Sequence, residues 1–498
     1  MGLSRHVQSQ EAYAYAILPI AVVFFLVFTK GIYNAVFHPL ARFPGPRGAA
    51  ISNFLYCYWF LSGRQPRRIL DLHRKFGPVV RTAPNELSFN TAQSWKDIYD
   101  FRPGHRTFIK GDFYDGGSFA DRCGSIVSER DPQVHGLMRK SLAHAFSPRS
   151  LIEQEYLISK NIDAFIQKIH QDGSRGVDIA MAFTLMSFDV IGDLGFGETF
   201  KGIESKDVHP WIDRMTGAMM QGAVADCFNR FPTLAKIAWT LFGRHIRSII
   251  EDTKINERYS IELVERRVHR KTERKDFFTR ILENRTPGAF SDIQLAAHAS
   301  DMVLAGSETS STCLSTITYH LFKCPSVLQE LRNEIRGTFQ SYGDITAAST
   351  EPLKYMRAVI LEGLRIYPPL PFALPRLVPE GGDTVDSHFL PAGTIVSTNP
   401  VAASLDPANF RDPHVFRPER WLGKNESDTL DASQPFSLGP RGCIGRSLGW
   451  MEMRTTLAKL HFKYDLELMD THVDWFRDSK MHTLWQKPRL NVKVIPRR

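Results

Sequence analysis

From Ala12 to Phe28 the chain reads AYAYAILPIAVVFFLVF, with no charged side chain. A helix crossing a bilayer needs about 20 apolar residues, and Ile32–Phe37 extends the run past Lys30 to that length. The pattern predicts a membrane anchor over residues 1–37; a cleaved signal peptide and a buried core helix are the alternatives. Phe43-Pro-Gly-Pro46 then breaks any helix, so residues 38–48 read as a proline-rich hinge. In the body, residues 49–498, Val79–Thr82 and Glu86–Phe89 have strand-forming residue types. Helical patterns dominate from Pro132 to Phe339. Prolines, glycines and β-branched residues return from Pro368 to Val396, predicting a small sheet. Arg266–Lys275 (RRVHRKTERK) reads as a solvated helix face or loop. The expected fold class is mainly α with small β-sheets, as one large unit behind the anchor.

With 43% hydrophobic and 23% charged residues, the composition is that of a globular protein. The formal net charge of +9 favours acidic partners or an anionic membrane surface. The basic residues are dispersed and form no nucleic-acid motif, so nucleic acid is not an expected partner. Lys30, Arg42 and Arg47 follow the apolar run, against Arg5 before it, which places the body on the cytosolic side. The sequons at Asn284 and Asn425 would then stay unglycosylated. Six scattered cysteines without a C-x-x-C pair argue for a reducing compartment and against a disulfide scaffold or zinc ribbon.

The chemistry concentrates in Phe436-Ser-Leu-Gly-Pro-Arg-Gly-Cys443-Ile-Gly445. Gly439, Gly442 and Gly445 allow tight backbone angles and close approach by a flat ligand. Arg441 is a permanent cation for an anionic group on that ligand, and Phe436 can cover the sulfur. A thiolate held this way is the axial ligand of a haem iron that must cleave an O–O bond; a buried structural cysteine is the plain alternative. Upstream, Ser291-Asp-Ile-Gln294 has the form of a capping box, predicting a long helix to about Phe322. It contains Ala305-Gly306-Ser307-Glu308-Thr309-Ser310. Gly306 would leave room for a flat cofactor, while Glu308 and Thr309 can pass protons to bound oxygen. The alternative is simple close packing, with Thr309 bonding back to a carbonyl. Glu362 and Arg365 share one helix face, as do His135 and Arg139.

The cysteine segment matches F-x-x-G-x-R-x-C-x-G at every position and resembles the haem-binding loop of the cytochrome P450 superfamily. The Ala305–Ser310 segment resembles that family's oxygen-activation motif. Glu362-x-x-Arg365 and Pro418-Glu-Arg420 resemble its E-x-x-R and P-E-R motifs. The resemblance implies that Cys443 ligates haem b (iron protoporphyrin IX) and that Ala305 and Gly306 face it. It further implies that Thr309 and Glu308 relay protons. Glu362, Arg365 and Arg420 would form a buried network holding the cysteine loop, and His135, Arg139, Arg376 and Arg441 would meet the haem propionates. His135 stands where many members have Trp. The implied reaction is R–H + O2 + NADPH + H⁺ → R–OH + H2O + NADP⁺.

With no nucleotide loop or flavin segment visible, electrons would come from a separate NADPH–cytochrome P450 reductase, with cytochrome b5 as a further donor. Arg139, Lys140 and Arg446 would form the docking face, and the endoplasmic reticulum membrane is the implied location. The hinge and Trp95–His105 resemble fungal microsomal members of the isotrichodermin C-15 hydroxylase type, implying a terpenoid, polyketide or alkaloid substrate. The expected pocket walls are Phe113–Phe119, Met215–Phe228, Met302, Pro371–Leu374 and Met481–Leu484. A haem-thiolate isomerase or dehydratase, or a non-enzymatic haem- or lipophile-binding membrane protein, is the competing reading.

Overall fold

The computed structural model describes residues 18, 21–116, 119–120, 123–173, 175–205, 210–270, 274–283, 291–423 and 427–497. Residues 12–17, 19 and 20 of the apolar run, both sequons and the side chain of Met215 lie outside the described residues. Ala21–Phe37 is an apolar helix whose side chains from Val22 to Phe28 are exposed. The hinge that follows is docked rather than free. Leu40 and Phe43 are buried, and Arg81 N–H donates to Pro44 O at 2.8 Å. A Cβ on Gly45 would lie 2.4 Å from Arg81 O, so only glycine allows this approach.

Both expected early strands form, as Val79–Ala83 and Glu86–Phe89, buried at every position. They open a five-stranded sheet continued by Ile395–Thr398, Arg376–Leu377 and Ile109–Lys110. Glu86–Phe89 pairs parallel with Ile395–Thr398; the other neighbours are antiparallel. The region from Pro368 to Val396 is thus split. Two of its strands form a separate hairpin, Asp383–Val385 with His388–Leu390, turned through Asp386 and Ser387 at positive φ.

Helices make the rest of the core. Ile179–Phe196 is apolar enough to span a bilayer, yet 83% of it is buried inside the body, the profile of a core helix. It packs along Asp292–Lys323, the long helix expected from Ser291. Ser291 Oγ accepts from Gln294 N–H at 3.2 Å, but Gln294 Nε2 donates to Gly124 O, so the capping box is half made. The helix stops at Cys324, before Pro325, because a residue preceding proline disfavours the α region.

The charge-rich segment from Arg266 corrects one expectation. Arg267 is buried, and its guanidinium grips Asp276 at 2.6 and 2.9 Å. Arg274 reaches Asp193 O at 3.0 Å. Phe277 and Phe278 are fully buried, which carries Asp276 into the core, where an unpaired carboxylate would be costly. The charges are partly internal neutralisation and not a wholly solvated face.

Candidate cofactor and oxygen site

Cys443 faces a mainly apolar cavity of about 290 Å³ between the loop Pro435–Gly445 and the long helix. Ala305, Gly306, Thr309 and Ser310 form the helix side; Phe436, Arg441, Cys443 and Gly445 form the loop side. The loop is held by its own backbone. Cys443 N–H donates to Phe436 O at 2.8 Å and Gly442 N–H to Gly439 O at 3.0 Å. Gly439 has φ +66°, and a Cβ there would sit 2.3 Å from Tyr99 O. Burial pushes the Cys443 thiol up, while Gly445 N–H, Arg139 and Arg446 pull it back. Cys443 also stands just before the N-terminus of helix Arg446–Lys463, whose dipole favours a thiolate.

On the helix side, Thr309 Oγ1 donates to Ala305 O at 2.6 Å, the back-bonded arrangement. Its lone pairs stay open toward the cavity it lines. Glu308 is not among the cavity's lining residues. Its carboxylate meets Lys487 Nζ at 2.7 Å, and that ammonium also donates to Ser311 and Thr312, both at 3.1 Å. A Cβ on Gly306 would meet Ile191 at 3.1 Å. Glycine at this position therefore serves helix–helix approach more directly than room for a cofactor.

A second cavity of about 310 Å³ lies at the loop's edge, lined by His135, Arg139, Arg376 and Arg441; Arg441 lines both cavities. His135 is buried, not a surface histidine. Burial, then Arg441, Lys110, Arg139 and Arg376, hold its pKa down to about 3. Lys110, which the sequence reading missed, is buried and held down to about 6 by burial and then by Arg441 and Arg376. Arg441 is pulled to about 10 by burial and Arg376. Arg139 turns inward to Gly442 O at 2.6 Å, whereas Lys140 and Arg446 are exposed.

With His135 and Lys110 held down in this way, Arg139, Arg376 and Arg441 supply the site's positive charge. An apolar slot with one thiol at its wall and a cationic edge fits a flat, dianionic metal macrocycle.

Behind the loop, Glu362 accepts from Arg365 at 2.7 and 2.8 Å and from Arg420 at 3.3 Å, all three residues buried. Burial raises the Glu362 pKa, but Arg365, Arg417 N–H and Trp421 together bring it below its ordinary value. Arg420 continues to Asp428 at 2.6 Å. Trp421 and Asp428 were not singled out in the sequence. Neither was Glu452, a buried carboxyl bonded by Ser187 and Ser310 and pushed up to about 7 by burial.

A family profile described as Cytochrome P450 matches residues 44–494. The chain is 54% identical, over 89% of its length and 92% of the relative's, to "Cytochrome P450 monooxygenase ORF11" of Penicillium roqueforti. It is 43% identical to "Cytochrome P450 monooxygenase BipB" of Cochliobolus sativus, over 95% of both chains. It is 36% identical to "Trichothecene C-15 hydroxylase" of Fusarium sporotrichioides, over 94% of this chain and 95% of that one. With this fold and these matches, the chain belongs to the cytochrome P450 family of monooxygenases. The family uses haem, O2, electrons from a redox partner and a small-molecule substrate.

Proposed function

We propose that this protein inserts one oxygen atom of O2 into a lipophilic secondary-metabolite intermediate of terpenoid, polyketide or alkaloid type. The observation that carries this is Cys443 facing Ala305 and Thr309 across one apolar cavity. When bound, haem b supplies reductive O2 activation and O–O cleavage through a thiolate-ligated iron. Cys443 would hold the metal, and Gly445 N–H, Arg139 and Arg446 offset part of the burial that raises its thiol pKa. His135, Arg139, Arg376 and Arg441 would hold the propionates.

Thr309 accepts and positions a proton donor in the cavity. Glu308 brings protons from the Lys487 end when its ion pair opens. The flanking apolar side chains Ile191, Leu370 and Leu374 exclude bulk water. Glu362, Arg365 and Arg420 keep the loop in register.

Electrons from NADPH arrive through a separate flavoprotein reductase, with cytochrome b5 as an auxiliary, on the face bearing Lys140 and Arg446. Residues 1–37 anchor the chain in the endoplasmic reticulum membrane and residues 49–498 form the cytosolic catalytic domain. The retained Glu308–Thr309 pair favours monooxygenation over isomerisation, dehydration or passive haem binding.

The test compares wild type with Thr309→Ala in microsomes with reductase, NADPH and a lipophile panel. Wild type should convert substrate with label from ¹⁸O2 in the product. Thr309→Ala should keep its haem but divert most reducing equivalents to peroxide. Conversion without NADPH, or normal coupling in the variant, contradicts the reading.

A further inference from the structure

A larger cavity of about 620 Å³ adjoins the cofactor cavity along the long helix. Ser300 and Leu304 line it; Ala305 and Thr309 line the other. Phe113, Phe119 and Leu304 give it apolar walls, as expected for a lipophile. Its polar groups are ordered in one direction. An indole N–H can only donate. Trp211 Nε1 donates to Asn256 Oδ1, which orients the amide so that Asn256 Nδ2 donates to Ser300 Oγ at 3.2 Å. Ser300 is therefore an acceptor toward the protein, and its own proton points elsewhere.

On the same helix Ser307, Thr309 and Ser315 return their protons to the carbonyl four residues back, each at 2.6 Å. Ser300 makes no such bond among the described residues. Gln221 Oε1 likewise accepts from Thr253, leaving the amide N–H groups without a protein acceptor among the described residues.

Each carboxylate in the wall has a protein partner. Asp301 accepts from Val127 N–H at 3.2 Å, Glu257 from Ala120 N–H at 2.9 Å, and Asp115 pairs with Arg130. Ser300 and Gln221 thus keep donors for a ligand, and the Asp115, Glu257 and Asp301 carboxylates outnumber the exposed Lys254 ammonium in the wall, which disfavours an anion.

We propose that the substrate is a lipophile that already carries a neutral acceptor oxygen, as a carbonyl, ether or epoxide, and that Ser300, assisted by Gln221, binds it. This rests on the monooxygenase reading and deepens it. At about 1.5 Å per residue, Ser300 lies about 7.5 Å along the helix axis from Ala305 and about 13.5 Å from Thr309. The acceptor oxygen and the oxidised carbon should be separated by a distance in that range, which sets the position oxidised. That oxygen must be present before this reaction, from the building blocks or from an earlier oxidation.

The test titrates full-length wild type, Ser300→Ala and Ser300→Thr with hydrocarbon and oxygenated partners of one skeleton: valencene and nootkatone, caryophyllene and caryophyllene oxide. Dissociation constants come from the substrate-induced Soret shift and from calorimetry. Wild type should bind the oxygenated member more tightly. Ser300→Ala should weaken that member about three- to tenfold, the effect of one neutral hydrogen bond, and leave the hydrocarbon unchanged. Ser300→Thr should retain the preference. Equal binding of both partners in wild type, binding of neither member of any pair, or an undiminished preference in Ser300→Ala overturns the inference. A thiolate-type CO spectrum recorded on the same sample separates these outcomes from failure of the monooxygenase reading itself.

Discussion

Cys443, open to its cavity, and Glu452, buried, show how single ionisable groups are controlled. Among the described residues no carboxylate or histidine contributes to the charge of the sulfur. Its environment is backbone N–H, a helix N-terminus and two arginines, all of which favour the thiolate against the penalty of burial. Glu452 has only hydroxyls, so burial wins and its pKa rises to about 7. An acid whose folded pKa is raised stabilises the fold below its unfolded pKa, and that contribution disappears as pH climbs through the folded value. Stability should therefore fall between about pH 4.5 and pH 7 on account of this group. Glu452→Gln, neutral throughout, should match wild type near pH 4.5. It should exceed wild type above pH 7 by on the order of 3 kcal/mol, at 1.36 kcal/mol per pKa unit. Urea unfolding at pH 5 and pH 8 checks this; a variant less stable than wild type at pH 8 would show that Glu452 is ionised and paired.

At the scale of elements, the cysteine loop depends on geometry that one methyl group destroys. Gly439→Ala would drive Cβ into Tyr99 O while holding φ at +66°. Expressed Gly439→Ala should contain little haem per folded chain, measured by pyridine haemochrome against total protein. Full loading would mean the loop tolerates another path. The loop and the long helix were legible in the sequence because their residues are local: glycines at fixed spacing, a serine cap, a proline stop. Their distant partners were not. Lys487 is 179 residues from Glu308, and Glu452 is 265 residues from Ser187. Lysine and glutamate are too common for such pairings to leave a local pattern. Gly306, read as a space for the cofactor, lines the cavity at Cys443, and its missing side chain also admits Ile191 of the neighbouring helix, a contact no local pattern announces. Arg267 misled for a related reason: charge density suggests solvent, yet Asp276 draws the arginine inside.

Across the whole molecule, the mainly α fold and the family were readable from motifs spread between residues 291 and 445, and the family match spans residues 44–494. What periodicity did not give is the arrangement of cavities. The structure sets an apolar slot at Cys443, a cationic edge at Arg376 and Arg441, and a larger chamber beside Ser300. The chamber is more polar than the apolar walls expected from Phe113–Phe119 and Met302. Met481 is buried in the hairpin Lys480–Gln486, while Thr483 Cγ2 comes within 3.6 Å of a Cβ built on Gly222.

The whole arrangement turns on the identity of the group Cys443 holds. The reduced, CO-bound difference spectrum of the full-length protein in microsomes, recorded beside Cys443→Ala, tests it directly. Wild type should give the strongly red-shifted Soret band of thiolate-ligated haem, and Cys443→Ala should lose it. A band at the position of histidine-ligated haem in folded wild type, or a red-shifted band that survives in Cys443→Ala, would contradict the assignment of Cys443 and the monooxygenase mechanism built on it.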